Sequence, residues 1–296
     1  MVIENVFSGF DGMSCGQIVL QEEGVFPKKY FASEIDKHAI KATKYNYVNT
    51  IHVGDITKVD PSGYPKIDLM LGGFPCQGFS INGKGLNFED SRSQLLFKLV
   101  YLKMQFQPRD FIFECVATMT PAIKAEIDKI IGVEGVYMNS NLFCAQNRKR
   151  IYWTNIKFTP PSENKTFIVK DILDDHSQNI SLDISETILK RQYFSSTTTD
   201  GVITLNPKFP NGKQTYQQDR IYDCNGRYIA LTATLGNRFN IKDQFGTLRK
   251  LSIKEQMKLQ TIPEYYSFAP VSDLNASKLI GNGWTIKAIR HILKHR

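Results

Sequence analysis

Short apolar runs alternate with helical stretches over the first half of the chain. Val2 to Phe10 alternates weakly and is compatible with a strand, and Asp11-Gly12-Met13-Ser14-Cys15-Gly16 follows as a turn of small residues. Gln17 to Glu23 has helical character and stops at Gly24, a residue suited to a left-handed cap. The plan repeats, with a strand at Tyr30 to Ser33, a helix at Lys37 to Asn46 and a third strand at Ile51 to Ile56. Leu69 to Leu71 is apolar, flanked by turn formers and too short for a helix, which predicts a buried strand. Then come a helix from Gln94 to Phe106 and a strand from Asp110 to Val116. A helix from Pro121 to Ile131, with Thr120 as its cap, leads to a strand from Val136 to Phe143. Strands and helices in alternation predict an α/β fold, a mostly parallel sheet flanked by helices.

Past Trp153 that rhythm stops. Thr159-Pro160-Pro161-Ser162 breaks it, and Ser195 to Asn240 carries threonine runs, glycines, aromatics and scattered cations. Residues 159–275 are therefore expected to form a small, irregular, β-rich domain with its return segment. Residues 1–158, completed by 276–296, form the other domain. Ser252 and Glu255 have capping-box spacing and start a helix, and a basic helix runs from Ile286 to His295.

The ends of the predicted strands collect reactive residues. Gly72 and Gly73 end the Leu69–Leu71 run, Pro75 fixes the backbone, and Cys76 follows. A thiol on a rigid loop at a strand's C-terminal edge stands where open α/β sheets place their chemistry. Glu34, Asp55 and Glu114 each end an apolar run. After a glycine turn, two such acids in successive units suit the hydroxyl and amino groups of a bound adenosine; the plainer role of Glu34 is to favour the next helix. The turn lacks the Gly-x-Gly-x-x-Gly spacing of dinucleotide sites. Asn82 to Arg92 is polar and aperiodic, either a lid that excludes water from the thiol or a plain surface connection. Gln146-Asn147-Arg148-Lys149-Arg150 is a basic cluster, by composition a solvated face or a phosphate contact.

Composition narrows the partners. The net charge of +8 permits a polyanion without requiring one. Five cysteines without paired spacing predict reduced thiols in a cytosol-like compartment. No Cys-x-x-Cys pair or histidine cluster is present, so no metal is expected. No apolar run is long enough to span a bilayer, so no membrane is expected either.

Six stretches in order resemble the DNA cytosine-5 methyltransferases of the compact bacterial or phage type. Phe10 to Gly16 resembles the family's first motif, Gly73-Phe74-Pro75-Cys76-Gln77 its nucleophile loop and Glu114-Cys115-Val116 its Glu-Asn-Val element. Gln146 to Arg150 resembles its Gln-x-Arg-x-Arg element. Leu248 to Pro263 and Ile280 to Ile286 resemble its last two. The resemblance implies a Rossmann-like S-adenosylmethionine-dependent fold with a small target-recognition domain. It implies catalytic Cys76, Glu114, Arg148 and Arg150. Its cofactor site is Phe10, Asp11, Gly12, Met13, Ser14, Glu34, Ile35, Asp55, Ile56, Pro75, Asn282 and Trp284.

The reaction implied is methylation of carbon 5 of a flipped cytosine in double-stranded DNA through a Cys76 adduct at carbon 6. Glu114 must carry its proton, which burial beneath a base favours. The protein is expected to be a monomer in the cytoplasm of a bacterial or phage-infected cell, with a cognate restriction endonuclease as a further partner. Cys115 departs from the family's asparagine, and a thiol is the poorer hydrogen-bonding group. That departure keeps three alternatives open: a non-catalytic DNA-binding homologue, transfer of another group, and action on transfer RNA. The Cys-Phe-Thr element usual in the transfer RNA branch is absent.

Overall fold

The computed structural model describes residues 2–75, 91–162, 165–174, 196–205, 208, 216, 219–235 and 240–296, with residues 91–93 described by backbone alone. Cys76 and residues 82–90 of the polar segment lie outside the described residues. By its contacts the chain divides into two compact units. One comprises Met1–Met138, Lys149–Pro160 and Ile286–Arg296, and the other Asn139–Arg148 and Pro161–Thr285.

The first unit is built on a seven-stranded sheet. Its strands are β1 (Asn5–Gly9), β2 (Lys29–Ser33), β3 (Ile51–His52), β4 (Leu69–Gly73), β5 (Asp110–Val116), β6 (Val136–Asn139) and, two strands later in this order, β8 (Lys149–Thr154). Their spatial order is β3-β2-β1-β4-β5-β8-β6. The pairings from β3 through β5 are parallel, and β8 runs antiparallel to β5. The chain goes from β1 to β2 and β3 on one side, then returns to place β4 on the other. That reversal opens a crevice at the carboxyl ends of β1 and β4, where such sheets bind ligands. The third strand is shorter than its apolar run, because Asp55 caps a 3-10 turn at Ile56–Lys58. Likewise β6 stops at Asn139, whose side chain accepts from Asn141 N and starts another 3-10 turn.

Both faces of this sheet are covered, so its strands are apolar throughout rather than alternating with polar residues. On one face Phe7, Met70 and Phe113 pack with Leu96, Leu99 and Phe106 of α3 (Ser91–Phe106) and Ile123, Ile127 and Ile131 of α4 (Pro121–Ile131). On the other, α1 (Cys15–Glu22) lies so close that a Cβ at Gly16 would stand 2.5 Å from Leu71 and from the Tyr30 hydroxyl. The carboxylates of Glu22 and Glu23, at the end of α1, pair with Arg290 of α7 (Ile286–Leu293). Thr120 caps α4 through Ile123 N, and Trp153 Nε1 donates to Asp128 of that helix at 2.6 Å. The remaining helix of this unit, α2 (Lys37–Asn46), is capped by Asp36.

The second unit is irregular and built from short strands. β9 (Ser196–Thr197), β10 (Ile203–Thr204), β11 (Ile221–Asp223), β13 (Asn240–Lys242) and β14 (Leu248–Lys250) form one sheet. β12 (Tyr228–Ile229) pairs with β7 (Gln146–Asn147) in another. Two helices follow, α5 (Ile253–Leu259) and α6 (Asp273–Asn282). The Ser252–Glu255 capping box forms in full. Residues 139–148 belong here because Arg148 and Gln146 bond into the segments 231, 259–260 and 281–283. Among the described residues no helix is long and apolar enough to cross a membrane.

Candidate active site

The crevice at the carboxyl ends of β1 and β4 is where the strand-end residues gather. Gly9 lies opposite Ser33 on one side and Gly72 on the other, and Gly73 lies opposite Glu114. The Phe10–Ser14 loop, Glu34 and the Phe74–Pro75 segment therefore leave the sheet along one edge, and Glu114, still within β5, lies beside Gly73 there.

In the first of these, Phe10, Gly12 and Ser14 have φ of 56°, 58° and 64°. Such angles are natural for glycine and strained for phenylalanine and serine, and strain of this kind persists only where surrounding contacts hold it. Glu34 supplies one such contact, accepting from Gly12 N at 2.7 Å with Oε2. Its Oε1 accepts from Ile35 N and Asp36 N, both at 2.8 Å. Thr43 donates to the Gly12 carbonyl at 3.4 Å. A Cβ at Gly12 would meet nothing within 4 Å, so the loop faces open space there. Ile35 is 75% exposed, whereas Met13 and Ile56 are buried. Asp55 accepts from Thr57 N at 2.9 Å, and that bond holds its carboxyl below the ordinary range.

Asp11 turns inward. It is buried, its Oδ1 accepts from the Tyr30 hydroxyl at 2.8 Å, and its Oδ2 has no hydrogen-bond partner among the described residues. Burial pushes its pKa from 3.8 up to about 6; the hydroxyls of Ser8, Ser14 and Tyr30 oppose the rise and the charge of Glu34 adds to it. Folding thus favours the proton. The resulting stability is complete below the unfolded value and is lost as pH rises through the folded one, by up to about 3 kcal/mol. Asp11→Asn keeps an acceptor for Tyr30 without the charge. It is expected to raise the melting temperature at about pH 8, with the gain gone at about pH 4; an equal gain at both would exclude this titration as the cause.

At the other end of the crevice, Glu114 and Arg150 meet. Antiparallel pairing sets Val116 against Arg150 and Glu114 against Tyr152, so Glu114 and Arg150 share one face of the sheet. Arg150 Nε lies 2.8 Å from Glu114 Oε1, and both side chains are about nine-tenths buried, at 11% exposure each. Arg150 Nη1 donates to the Lys149 carbonyl.

Cys115 faces the opposite side of β5 and is 1% exposed. Its thiol donates to the Phe74 carbonyl at 3.7 Å, two residues before Cys76. An asparagine amide offers that carbonyl a stronger donor. If the site carries out the reaction that the resemblance implies, Cys115→Asn is expected to preserve or raise its kcat, and Cys115→Val to lower it by roughly tenfold for want of the hydrogen bond. A large drop in the asparagine variant would give the thiol a task of its own.

Arg148 does not join the Glu114–Arg150 pair. It is 3% exposed within the second unit, donating from Nη1 to the Leu231 carbonyl at 2.7 Å and from Nη2 to those of Gly281 and Gly283 at 3.1 and 2.9 Å. These donors serve three backbone carbonyls, which gives Arg148 a structural task within the second unit. Gln146 and Gln260 extend the same network, which the basic cluster did not foretell. Asn282 is exposed and Trp284 buried, both in the second unit. Pro75 is partly buried, and Cys76 lies outside the described residues.

Comparison with known proteins gives a consistent result. The profile of the family described as C-5 cytosine-specific DNA methylase matches residues 1–295. The type II methyltransferase M1.ScrFI of Lactococcus lactis subsp. cremoris is 31% identical, over 97% of this chain and 76% of the relative. M.HhaI of Haemophilus parahaemolyticus, also a type II methyltransferase, is 28% identical over 97% of this chain and 91% of its own length. Among solved structures, the Entamoeba histolytica methyltransferase EhMeth superposes with a TM-score of 0.75 at 13% identity, covering 100% of this chain and 98% of that one.

Proposed function

Because the chain belongs to the family of C-5 cytosine-specific DNA methylases, we propose that it methylates carbon 5 of a cytosine flipped out of duplex DNA, using S-adenosylmethionine. The observation that carries the reading is the Glu114–Arg150 pair at the sheet edge, beside the Phe74–Pro75 segment that leads into Cys76.

Carbon 5 of cytosine is a poor nucleophile. Addition of the Cys76 thiolate at carbon 6 pushes electrons into the ring and divides one hard step into easier ones. Glu114 is fixed through Oε1 by Arg150 and serves ring nitrogen 3 through Oε2. Arg150 keeps Nη2 for the base's oxygen 2. Arg148 is a positioning residue, holding the Gly281–Gly283 segment to Leu231. When bound, S-adenosylmethionine supplies an electrophilic methyl group on its sulfonium. Loss of the carbon-5 proton then expels Cys76. Carbon 6 is shielded within the stack, so the base must leave it first.

The residues at the β1 end fit that cofactor. Gly12 faces open space, Ile35 offers an exposed apolar side chain, and Glu34 keeps one acceptor position on Oε2 for a ribose hydroxyl. Asp55 stands at the end of the next unit for the adenine amino group. The second unit is assigned to target recognition, and the type II names of the relatives support a cognate endonuclease as partner.

Bisulfite sequencing of DNA from cells expressing the chain tests the reading; protected cytosines are expected in one sequence context, and their absence would overturn it. Tritium transfer to duplex DNA but not to transfer RNA is expected alongside. Glu114→Gln removes the acid and is expected to lower kcat on the order of 10² to 10⁴-fold, with cofactor affinity kept.

A further inference from the structure

Two carboxylates adjoin Gly12, Asp11 as the residue before it in the loop and Glu34 through the Gly12 N–H. Asp11 and Glu34 form no ion pair among the described residues. Asp11 is 8% exposed, its Oδ1 accepts from the Tyr30 hydroxyl, the hydroxyls of Ser8 and Ser14 stand close by, and its Oδ2 is buried without a hydrogen-bond partner among the described residues. Glu34 touches the same loop through Gly12 N at 2.7 Å. Burial, with a smaller contribution from repulsion by Glu34, is why Asp11 holds its proton to about 6. A buried carboxylate without a compensating charge destabilises the native state at neutral pH, and such groups collect where a ligand makes use of them.

We infer that the charge of Asp11 biases the open space beside Gly12, its neighbour in the loop, toward a cationic ligand over a neutral one of the same shape. The inference rests on the cofactor reading above. On that reading the hollow favours the sulfonium donor, which carries one net positive charge, over the demethylated product, which carries none. The bias acts through space rather than by a hydrogen bond to the ligand. At the effective dielectric of a partly buried site, one unit charge a few ångströms beyond contact is worth on the order of tenfold in affinity. Tyr30 sets the orientation of Asp11 and contributes no charge of its own. Glu34 adds negative potential and also holds the loop, so its removal disturbs both ligands.

Calorimetric titration of the full chain without DNA tests this, with S-adenosylmethionine, S-adenosylhomocysteine and sinefungin, whose amine is cationic where the donor has its sulfonium. In Asp11→Asn the ratio of the homocysteine Kd to the methionine Kd is expected to fall about tenfold, with the homocysteine Kd itself little changed. Sinefungin is expected to weaken with the methionine ligand. Tyr30→Phe, titrated at about pH 8 so that Asp11 stays ionised without the phenol's hydrogen bond, is expected to keep the ratio. An unchanged ratio in Asp11→Asn overturns the inference and leaves the cofactor reading intact. An equal shift in Tyr30→Phe also overturns it, since geometry rather than charge would then set the preference. Failure of both natural ligands to bind the unaltered chain overturns the cofactor reading itself.

Discussion

Cys76→Ala is expected to abolish methyl transfer, with kcat falling on the order of 10⁴-fold or more. The size follows from the substrate. Without a nucleophile at carbon 6, the ring has no route by which to place electron density on carbon 5, and no positioning of the donor replaces that. Duplex DNA carrying 5-fluorocytosine distinguishes the cause. Fluorine cannot leave as a proton does, so the unaltered chain is expected to remain covalently joined to such DNA, stable to denaturing electrophoresis. The alanine variant is expected to form no such band while still binding S-adenosylhomocysteine. A covalent complex in the alanine variant would mean that the nucleophile is another residue. Among the described cysteines the alternatives are all buried: Cys15, Cys115, Cys144 and Cys224.

The largest loss of stability is expected from Arg249→Met in the second unit. The Arg249 side chain is 2% exposed and reaches Asp243 at 3.1 Å and both oxygens of Glu255 at 2.8 Å. Burial works against its charge, but the carboxylates of Glu255 and Asp243 more than offset that and raise its pKa. The two acids are themselves committed elsewhere. Asp243 accepts from Phe245 N and Thr247 N to shape the turn between β13 and β14, and Glu255 accepts from Ser252 N to start α5. One guanidinium thus joins a hairpin to a helix. Removing it leaves two buried carboxylates facing each other, at a cost of roughly 3–5 kcal/mol, which lowers the melting temperature by on the order of 10 °C. Adding Asp243→Asn and Glu255→Gln to Arg249→Met is expected to recover part of that loss. If Arg249→Met melts with the unaltered chain, the three charges do not hold the unit together.

Activity and stability draw on different residues for one physical reason. Glu114 and Arg150 pair with each other near the carboxyl end of β4, whereas Arg249 and Arg148 are enclosed by further protein acceptors. Asp11 stands between these cases. Its charge disfavours the native state above about pH 6 and also gives the hollow its potential, so the same substitution is expected to stabilise the fold and weaken the preference for a cation.

The sequence by itself determined the elements whose causes are local. Apolar runs bounded by glycine and proline set the strands from Asn5 to Val116, and the caps at Thr120 and at Ser252 with Glu255 formed as their spacing required. The position of Glu34 just past β2 followed from the same runs, whereas β5 continues two residues beyond Glu114. Ala276, Leu279 and Ile280, all buried, stand at helical spacing in α6. What only the tertiary structure decided is which polar groups share a desolvated space. Arg148 and Arg150 stand two positions apart in one basic cluster. A break between β7 and β8 sends the first to carbonyls as far as 135 positions away and leaves the second beside Glu114. Asp11 turned onto Tyr30, and Arg249 onto Asp243 and Glu255, for the same reason. Periodicity and capping act over a few residues, but the partner of a buried charge is fixed by where distant segments cross.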